Sequence, residues 1–126
     1  MSNQIEFFDV PGLAKCFTIE RKTDHYFWNT NTQAFEESVS DEYAAINLIE
    51  GSGTGKGTYL EIFPAAITTA GDYIIRCWDT SAAEFDSDLG YSGGYIFTLD
   101  GEEELTIFSL WEKIEDIWLT DSGGFD

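Results

Sequence analysis

The sequence predicts an all-β fold, an antiparallel β-sandwich preceded by an N-terminal arm and followed by an amphipathic α-helix. Short apolar and aromatic segments recur about every ten residues, and turn-forming residues separate them. No segment between them is long enough for the crossover helices that parallel strands require. The length of 126 residues fits one domain, with an arm or edge strand at 1–13, a sandwich at 14–100 and a helix with an acidic tail at 101–126.

The predicted strands follow the apolar segments in order. They cover residues 5–10, 14–21, 25–29, 33–36, 43–50, 57–64, 71–79 and 94–99. Two of them alternate with period two. Phe17 and Ile19 share one face of the second strand, which predicts that Cys16 points to the other.

The period changes near the C-terminus, where residues 105–119 are predicted to form a helix. The apolar side chains on one face are Ile107, Leu110, Trp111, Ile114, Ile117 and Trp118. Asp100 and Glu103 have the spacing of a capping box. The apolar face has two readings: it packs on a sheet of its own or a neighbouring chain, or it meets helices of other copies.

The charge of the chain excludes several classes of partner. Twenty-four acidic residues stand against six basic ones, for a formal net charge of −18. Such a field repels nucleic acid and anionic membranes. No apolar run is long enough for a membrane span, and residues 1–6 lack the features of a signal peptide, which predicts synthesis in the cytoplasm.

A glycine-rich segment at residues 51–58 resembles a phosphate-binding P-loop only superficially. The position that requires a glycine holds Glu50, and the residues after Thr58 have the pattern of a strand. A P-loop must open a helix that receives the anion. The segment is therefore predicted to be a turn.

Catalytic chemistry has little support in the sequence. His25 is the single histidine, and no nucleophile-elbow motif accompanies it. The acids are too numerous for the sequence to single out a catalytic pair. We expect no enzyme, and a small acidic hydrolase is the third-ranked function.

The acidic loop at residues 79–90 is the one candidate metal site. Asp79, Asp86 and Asp88 offer oxygen ligands of the kind that Ca²⁺ prefers. The loop lacks the third ligand position and the closing glutamate of an EF-hand. A solvated loop is the favoured reading, and no cofactor is expected apart from this Ca²⁺ candidate.

The aromatic residues define the second-ranked function, a carbohydrate-binding module. Tyr26, Trp28 and Trp78 would stack on a sugar beside the acidic loop. Packing in the core and between neighbouring strands is the favoured explanation for most of the aromatic rings. Cys16 and Cys77 are predicted to be free thiols, since a cytoplasmic protein rarely carries disulfides.

A longer pattern carries a family resemblance, and its segments are 17–20, 26–29, 34–36, 57–59 followed by Phe63-Pro64, and 70–75. This pattern resembles small immunoglobulin-like sandwich modules in structural proteins of tailed bacteriophages and prophages. The resemblance covers about two-thirds of the chain and carries no catalytic residues.

The resemblance implies a non-enzymatic structural subunit of a virion, as a head decoration or cement protein or a tail, baseplate or fibre component. Its partners would be itself, as a homo-oligomer such as a trimer, and other virion proteins. The expected interface combines the arm residues Ile5, Phe7 and Phe8 with the six apolar helix residues named above.

Overall fold

A computed structural model describes residues 3–100, which form a mostly β fold of two antiparallel sheets. The strands are β1 (Gln4–Phe8), β2 (Lys15–Arg21), β3 (Tyr26–Asn29), β4 (Ala34–Glu36), β5 (Ile46–Asn47), β6 (Ile49–Glu50), β7 (Thr58–Ile62), β8 (Gly71–Asp79) and β9 (Tyr91–Leu99). One helical turn, α1 (Asp41–Ala44), and a 3-10 turn, Gly53–Gly55, lie between strands. The all-β prediction is confirmed.

The two sheets differ in size. The small sheet has the order β1-β7-β6, and the large sheet has the order β4-β3-β2-β8-β9, with β5 also paired to β2. All of these pairs are antiparallel. The predicted N-terminal arm is therefore, from Gln4 to Phe8, an edge strand of the small sheet.

One hydrophobic core joins the two sheets. It contains Ile5 and Tyr59 from the small sheet and Phe17, Ile19 and Ile75 from the large sheet. The Tyr59 ring is buried, and its hydroxyl donates a hydrogen bond to Val10 O at 2.7 Å. Buried aromatic hydroxyls need such a partner.

Strand β2 is buried on both faces, which the alternating pattern did not predict. Cys16 pairs with Trp78 on the face opposite to Phe17, and its side chain is buried instead of exposed. On this second face, Asp41 of α1 and Phe85 of the loop after β8 line a cavity together with Thr18 of β2. The predicted outward position of Cys16 is thus corrected. Both cysteines are free.

Two predicted elements have different boundaries. The predicted strand at 43–50 is divided into α1, β5 and β6, with Asp41 and Glu42 in the first helical turn, where acidic side chains are favourable. Strand β9 begins at Tyr91 and includes a stretch that was predicted as a turn. The predicted helix at 105–119 and the boundary at residue 101 lie outside the described residues.

Candidate interaction surfaces

Strand β9 forms one edge of the large sheet. It is nine residues long and contains no charged side chain, in a chain with 24 acidic residues. Within residues 3–100 only β8 pairs with it, so its outer side has no strand partner there. Ile96 and Tyr91 are exposed, at 47% and 58%. A long, uncharged, unpaired edge is a template for pairing with another chain.

Contacts on its inner side hold β9 firmly in place. It pairs with β8 from Gly71 opposite Leu99 to Trp78 opposite Tyr91. Gly94 is required for this close approach, because a Cβ there would lie 2.3 Å from Ile75 O. The edge is therefore presented in a fixed conformation.

Aromatic contacts tie β9 to the small sheet as well. The rings of Phe97 and Phe63 stack with centroids 4.6 Å apart, and Tyr95 contacts Phe7 at 5.2 Å. The Tyr95 hydroxyl also accepts a hydrogen bond from Glu6 N at 3.3 Å. These contacts fix both sheets relative to the β9 edge.

The opposite edge of the large sheet, β4, is built differently. It has three residues and ends in Glu36. The Glu36 carboxylate accepts hydrogen bonds from Asn29 Nδ2 at 3.3 Å and from Thr32 Oγ1 at 2.7 Å. A short strand with a charged, internally bonded side chain discourages pairing with another chain.

A second apolar surface lies on the solvent side of the small sheet. We call it the small-sheet face; its apolar residues are Phe8, Ile49, Leu60 and Ile62, and the exposed Glu6 and Gln4 lie on the same side, opposite Leu60 and Ile62. The register places Leu60 opposite Ile49 and places Phe8 opposite Thr58, so these side chains project to the same side. Phe8, Ile49 and Ile62 are 72%, 66% and 56% exposed, and Leu60 is half-buried.

An ion pair fixes the chain just after β1. Lys15 Nζ lies 2.8 Å from Asp9 Oδ2, and the lysine side chain is almost completely buried. Burial is the largest single influence and opposes the charged lysine, but the bond to Asp9 and the nearby Cys77 and Asp79 together outweigh it, so the pKa of Lys15 is raised. The same bond lowers the pKa of Asp9. Both groups are therefore ionised at neutral pH.

The glycine-rich segment is a turn that leads into a strand, as predicted. The 3-10 turn at Gly53–Gly55 is followed by β7, not by a helix. The Glu50 carboxylate accepts hydrogen bonds from Gly57 N at 2.9 Å and from Gly12 N at 3.1 Å. It thus occupies amide groups that a phosphate would need, and it joins this turn to the chain after β1.

The single histidine belongs to a charged cluster on the large sheet. His25 Nδ1 lies 2.5 Å from Glu20 Oε2, and Arg76 Nη1 binds the other oxygen of the same carboxylate. Burial raises the pKa of Glu20, but the bonds from Arg76 and His25 outweigh burial, and the pKa lies below its ordinary value. His25 itself has a left-handed backbone (φ 61°) in the turn after β2.

A cavity of about 250 Å³ opens on the same side of the large sheet. The walls include Trp78 and Phe85, whose rings meet edge to face at 5.1 Å, together with Arg76 and Asp41. Asp41 Oδ2 accepts hydrogen bonds from the backbone and hydroxyl of Ser87. Trp78 Nε1 is buried and has no hydrogen-bond partner among the described residues.

The structure places the predicted arm residues in three different environments. Ile5 is fully buried in the core of the described residues, and its assignment to an interface stays a prediction. Phe7 is half-buried against Tyr95, and Phe8 alone is exposed. The apolar helix residues, from Ile107 to Trp118, lie outside the described residues.

The predicted sugar-stacking rings are not displayed together on an exposed surface. Trp28 belongs to the core and Trp78 is buried beneath Phe85 and Tyr91. Tyr26 is half-buried, and the Arg21 guanidinium lies 5.8 Å from its ring centre. Neither tryptophan offers an exposed face for stacking on a sugar ring.

The three candidate calcium ligands do not form one cluster. Asp79 Oδ1 accepts a hydrogen bond from Ser81 N, and Asp86 Oδ1 accepts one from Asp88 N. Among residues 3–100, no group of three metal-ligating side chains is close enough to hold an ion. The calcium site stays a prediction.

Sequence reasoning missed the β9 edge. The signal was present, since nine consecutive residues of a highly acidic chain carry no charge. The sequence Ser92-Gly93-Gly94 was interpreted as a turn before the predicted strand at 94–99, because such residues ordinarily indicate a turn.

Comparisons with known proteins add no family or relative. In the described part of the chain, no helix is both long and apolar enough to cross a membrane. No protein-family model, no curated protein and no solved structure matches the chain.

Proposed function

We propose that this protein is a non-enzymatic structural subunit of a phage virion, and that it forms a homo-oligomer by pairing its β9 edge with that of a second copy. The single observation that carries the self-association is the exposed, uncharged edge at Tyr91–Leu99. The virion role follows from the resemblance of the strand pattern. The protein would be made in the host cytoplasm and incorporated into particles.

The proposed fold is an immunoglobulin-like sandwich. It is supported by the antiparallel pairing of all strands and by buried residues of both sheets in one core. Modules of this kind attach to larger assemblies through sheet edges and exposed apolar residues.

Two identical edges pair most simply around a two-fold axis. Antiparallel pairing of β9 with β9 makes one continuous sheet, and each contact occurs twice. Only a residue at the two-fold axis lies opposite its own counterpart, and we place the exposed Ile96 there. This arrangement makes the assembly unit a dimer, in place of the trimer named above.

The charge of the subunit explains why the uncharged edge matters. Two copies with a net charge of −18 repel each other. Backbone hydrogen bonds and apolar contacts at β9 add no charge of their own to this repulsion. Self-association is therefore expected to be weak at low ionic strength and confined to this edge.

Size-exclusion chromatography with light scattering tests the self-association. We expect a concentration-dependent dimer, and we expect Ile96→Glu to weaken it by at least about tenfold, which corresponds to about 1.4 kcal/mol. Two like charges would then face each other across the axis. Val10→Glu is the matched control, because Val10 is 61% exposed and lies outside β9.

A monomer at all accessible concentrations, or equal weakening by Ile96→Glu and Val10→Glu, would contradict the β9 interface. The virion role has a separate test in purified phage particles from the organism that carries the gene. Trypsin releases residues 57–76 as one peptide, bounded by Lys56 and Arg76. Mass spectrometry should find this peptide at a fixed ratio to the major capsid protein. Its absence from intact particles would overturn the virion role.

A further inference from the structure

The cavity beside Trp78 and Phe85 has no part in the proposed structural role. Its wall is mainly aromatic and aliphatic, and Phe27 belongs to it together with Trp78 and Phe85. The charged residues of the wall are Arg76 and Asp41. A largely apolar cavity with a few polar groups is the usual form of a binding site for a small molecule.

Contacts between the elements around the cavity hold it in shape. Asp41 Oδ2 accepts hydrogen bonds from Ser87 N at 3.0 Å and from Ser87 Oγ at 3.2 Å, which joins α1 to the loop after β8. The Trp78 ring contacts the rings of Phe85 and Tyr91, whose centres lie 5.1 and 5.6 Å away. The cavity is therefore formed without a ligand, and such preorganisation lowers the entropy lost on binding.

One buried polar group in this wall lacks a partner within the described chain. Trp78 is 6% exposed, and its Nε1 has no hydrogen-bond partner among residues 3–100. A buried N–H without an acceptor costs free energy, and native structures rarely leave one. A ligand that places an acceptor atom beside this N–H would supply the missing bond.

The charges around the cavity favour a neutral ligand. Arg76 Nη1 binds the Glu20 carboxylate, so the charge of the guanidinium is already balanced. Asp41, the other charged residue of the wall, is acidic, and the whole chain has a net charge of −18. An anion would therefore be repelled, and a cationic donor group would not satisfy the Trp78 N–H.

We propose that this cavity binds a neutral, flat, bicyclic aromatic compound whose carbonyl or ring-nitrogen acceptor accepts a hydrogen bond from Trp78 Nε1. The size agrees with this class of ligand. An apolar cavity of about 150 Å³ holds one benzene molecule, and the volume here is about 250 Å³. The rings of Phe27 and Phe85 would contact the bicyclic system. This site goes beyond the structural role and does not rest on it.

Coumarin, a neutral bicyclic lactone with one carbonyl acceptor, is the probe that tests the site in the full-length protein. Nitrogen-15 NMR detects the indole N–H signals, and the spectrum of Trp78→Phe identifies the one that belongs to Trp78. We expect saturable binding, in which a hydrogen bond to the lactone moves the Trp78 signal downfield. Coumarin-3-carboxylate, which adds a negative charge to the same ring system, should bind at least about threefold more weakly. Absence of saturable binding, an unmoved Trp78 signal, or equal or tighter binding of the carboxylate would each overturn the proposal.

Titrations followed on the coumarin signals of three variants locate the probe in the cavity. Trp78→Phe keeps a ring beside Phe85 but removes the N–H, and it should weaken binding by about threefold to tenfold, the range for one hydrogen bond. Tyr91→Phe is the matched control, because it removes a hydroxyl from the other ring that contacts Trp78, outside the cavity wall. Its affinity should equal that of wild type.

Ala44→Phe provides a second test in case Trp78→Phe folds poorly. Ala44 lines the cavity, so a ring at this position should fill the space and abolish coumarin binding. Circular dichroism checks that each variant is folded. Equal affinities of Trp78→Phe and Tyr91→Phe, or coumarin binding by Ala44→Phe, would contradict the site. A monomer can bind coumarin, so this proposal and the β9 interface fail independently.

Discussion

The two edges of the large sheet carry opposite chemistry. Strand β4 is three residues long, ends in a charged glutamate and binds its neighbours through that side chain. Strand β9 is three times as long and carries no charge. Natural sheets protect their edges against pairing with other chains. The contrast teaches that β4 carries features that protect an edge against pairing, whereas β9 lacks them within the described residues.

The backbone at β9 sharpens this contrast. Gly94 allows the strand to lie tightly on β8, and Thr98 Oγ1 donates to Asp72 Oδ1 at 2.7 Å. The strand is therefore fixed on its inner side, and no other strand of residues 3–100 pairs with its outer side. Such preorganisation lowers the entropy lost when a partner strand is added.

The largest expected effect comes from a substitution that displaces β9 from β8. Gly94→Ala places a methyl group against Ile75 O and should destabilise the protein by about 2–4 kcal/mol while abolishing self-association. Gly93→Ala is the control, because nothing lies within 4 Å of its Cβ and only the backbone at φ 122° is strained, at a cost of about 1–2 kcal/mol. Chemical denaturation measures both. Equal losses would contradict the tight packing of β9 on β8.

Acidification should strengthen pairing at the uncharged β9 edge at a higher pH than the one at which it weakens the contacts of Asp9 and Glu20. Near pH 4.5, the ordinary pKa of a glutamate, many exposed acids lose charge and β9 pairing should strengthen several-fold. The lowered pKa values of Asp9 and Glu20 mean that their contacts stabilise the fold above the ordinary values. This stabilisation is lost only as the pH falls through the lower folded values.

Light scattering and circular dichroism across pH 7 to 3 test this order of events. The account predicts association first and unfolding at a lower pH. Unfolding that precedes any association would show that the charged contacts, and not the edge, govern the acid response.

Added salt should act in the same direction with a smaller effect. Raising the ionic strength to about 0.3 M shortens the screening length to roughly 6 Å and relieves repulsion between the acidic copies. Stability and self-association should both rise, as measured by melting temperature and light scattering. The uncharged β9 contacts should not weaken. A flat or falling response in wild type would mean that the acids are paired or bound to cations.

The smallest effect is expected from a substitution in β4, at the opposite edge of the large sheet. Glu36→Val removes the acceptor for Asn29 and Thr32 and should cost about 0.5–1.5 kcal/mol of stability. It should not change the oligomeric state, since β4 remains only three residues long. Thr32→Val, which removes a single donor, is the matched comparison. New oligomers in Glu36→Val would show that this charge alone keeps the β4 edge closed.

The sequence predicted the strands that depend on local pattern. Alternation around Phe17 and Ile19, and the turn chemistry at Gly51–Gly57, located β2 and β7 within one or two residues. These signals are local, because turn residues and side-chain parity act within a few positions. They do not specify which strands become edges.

Long-range contacts account for what the sequence could not show. Cys16 is buried where it pairs with Trp78 of β8 and Asn47 of β5, both distant in the chain. Glu20 is buried where Arg76 and His25, distant and near in the chain, both bond to its carboxylate. The glycines before Tyr95 form part of a strand because β8 approaches closely. Each outcome depends on pairing between distant segments, which local periodicity does not encode.

Hydrogen exchange at two protein concentrations tests the central claim most directly. The amides of β9 that do not bond to β8 should exchange more slowly at high concentration, because a second copy pairs with them. The amides of β4 should exchange at the same rate at both concentrations. Concentration-independent exchange throughout β9, or equal slowing of β4 and β9, would contradict the assignment of β9 as the assembly edge.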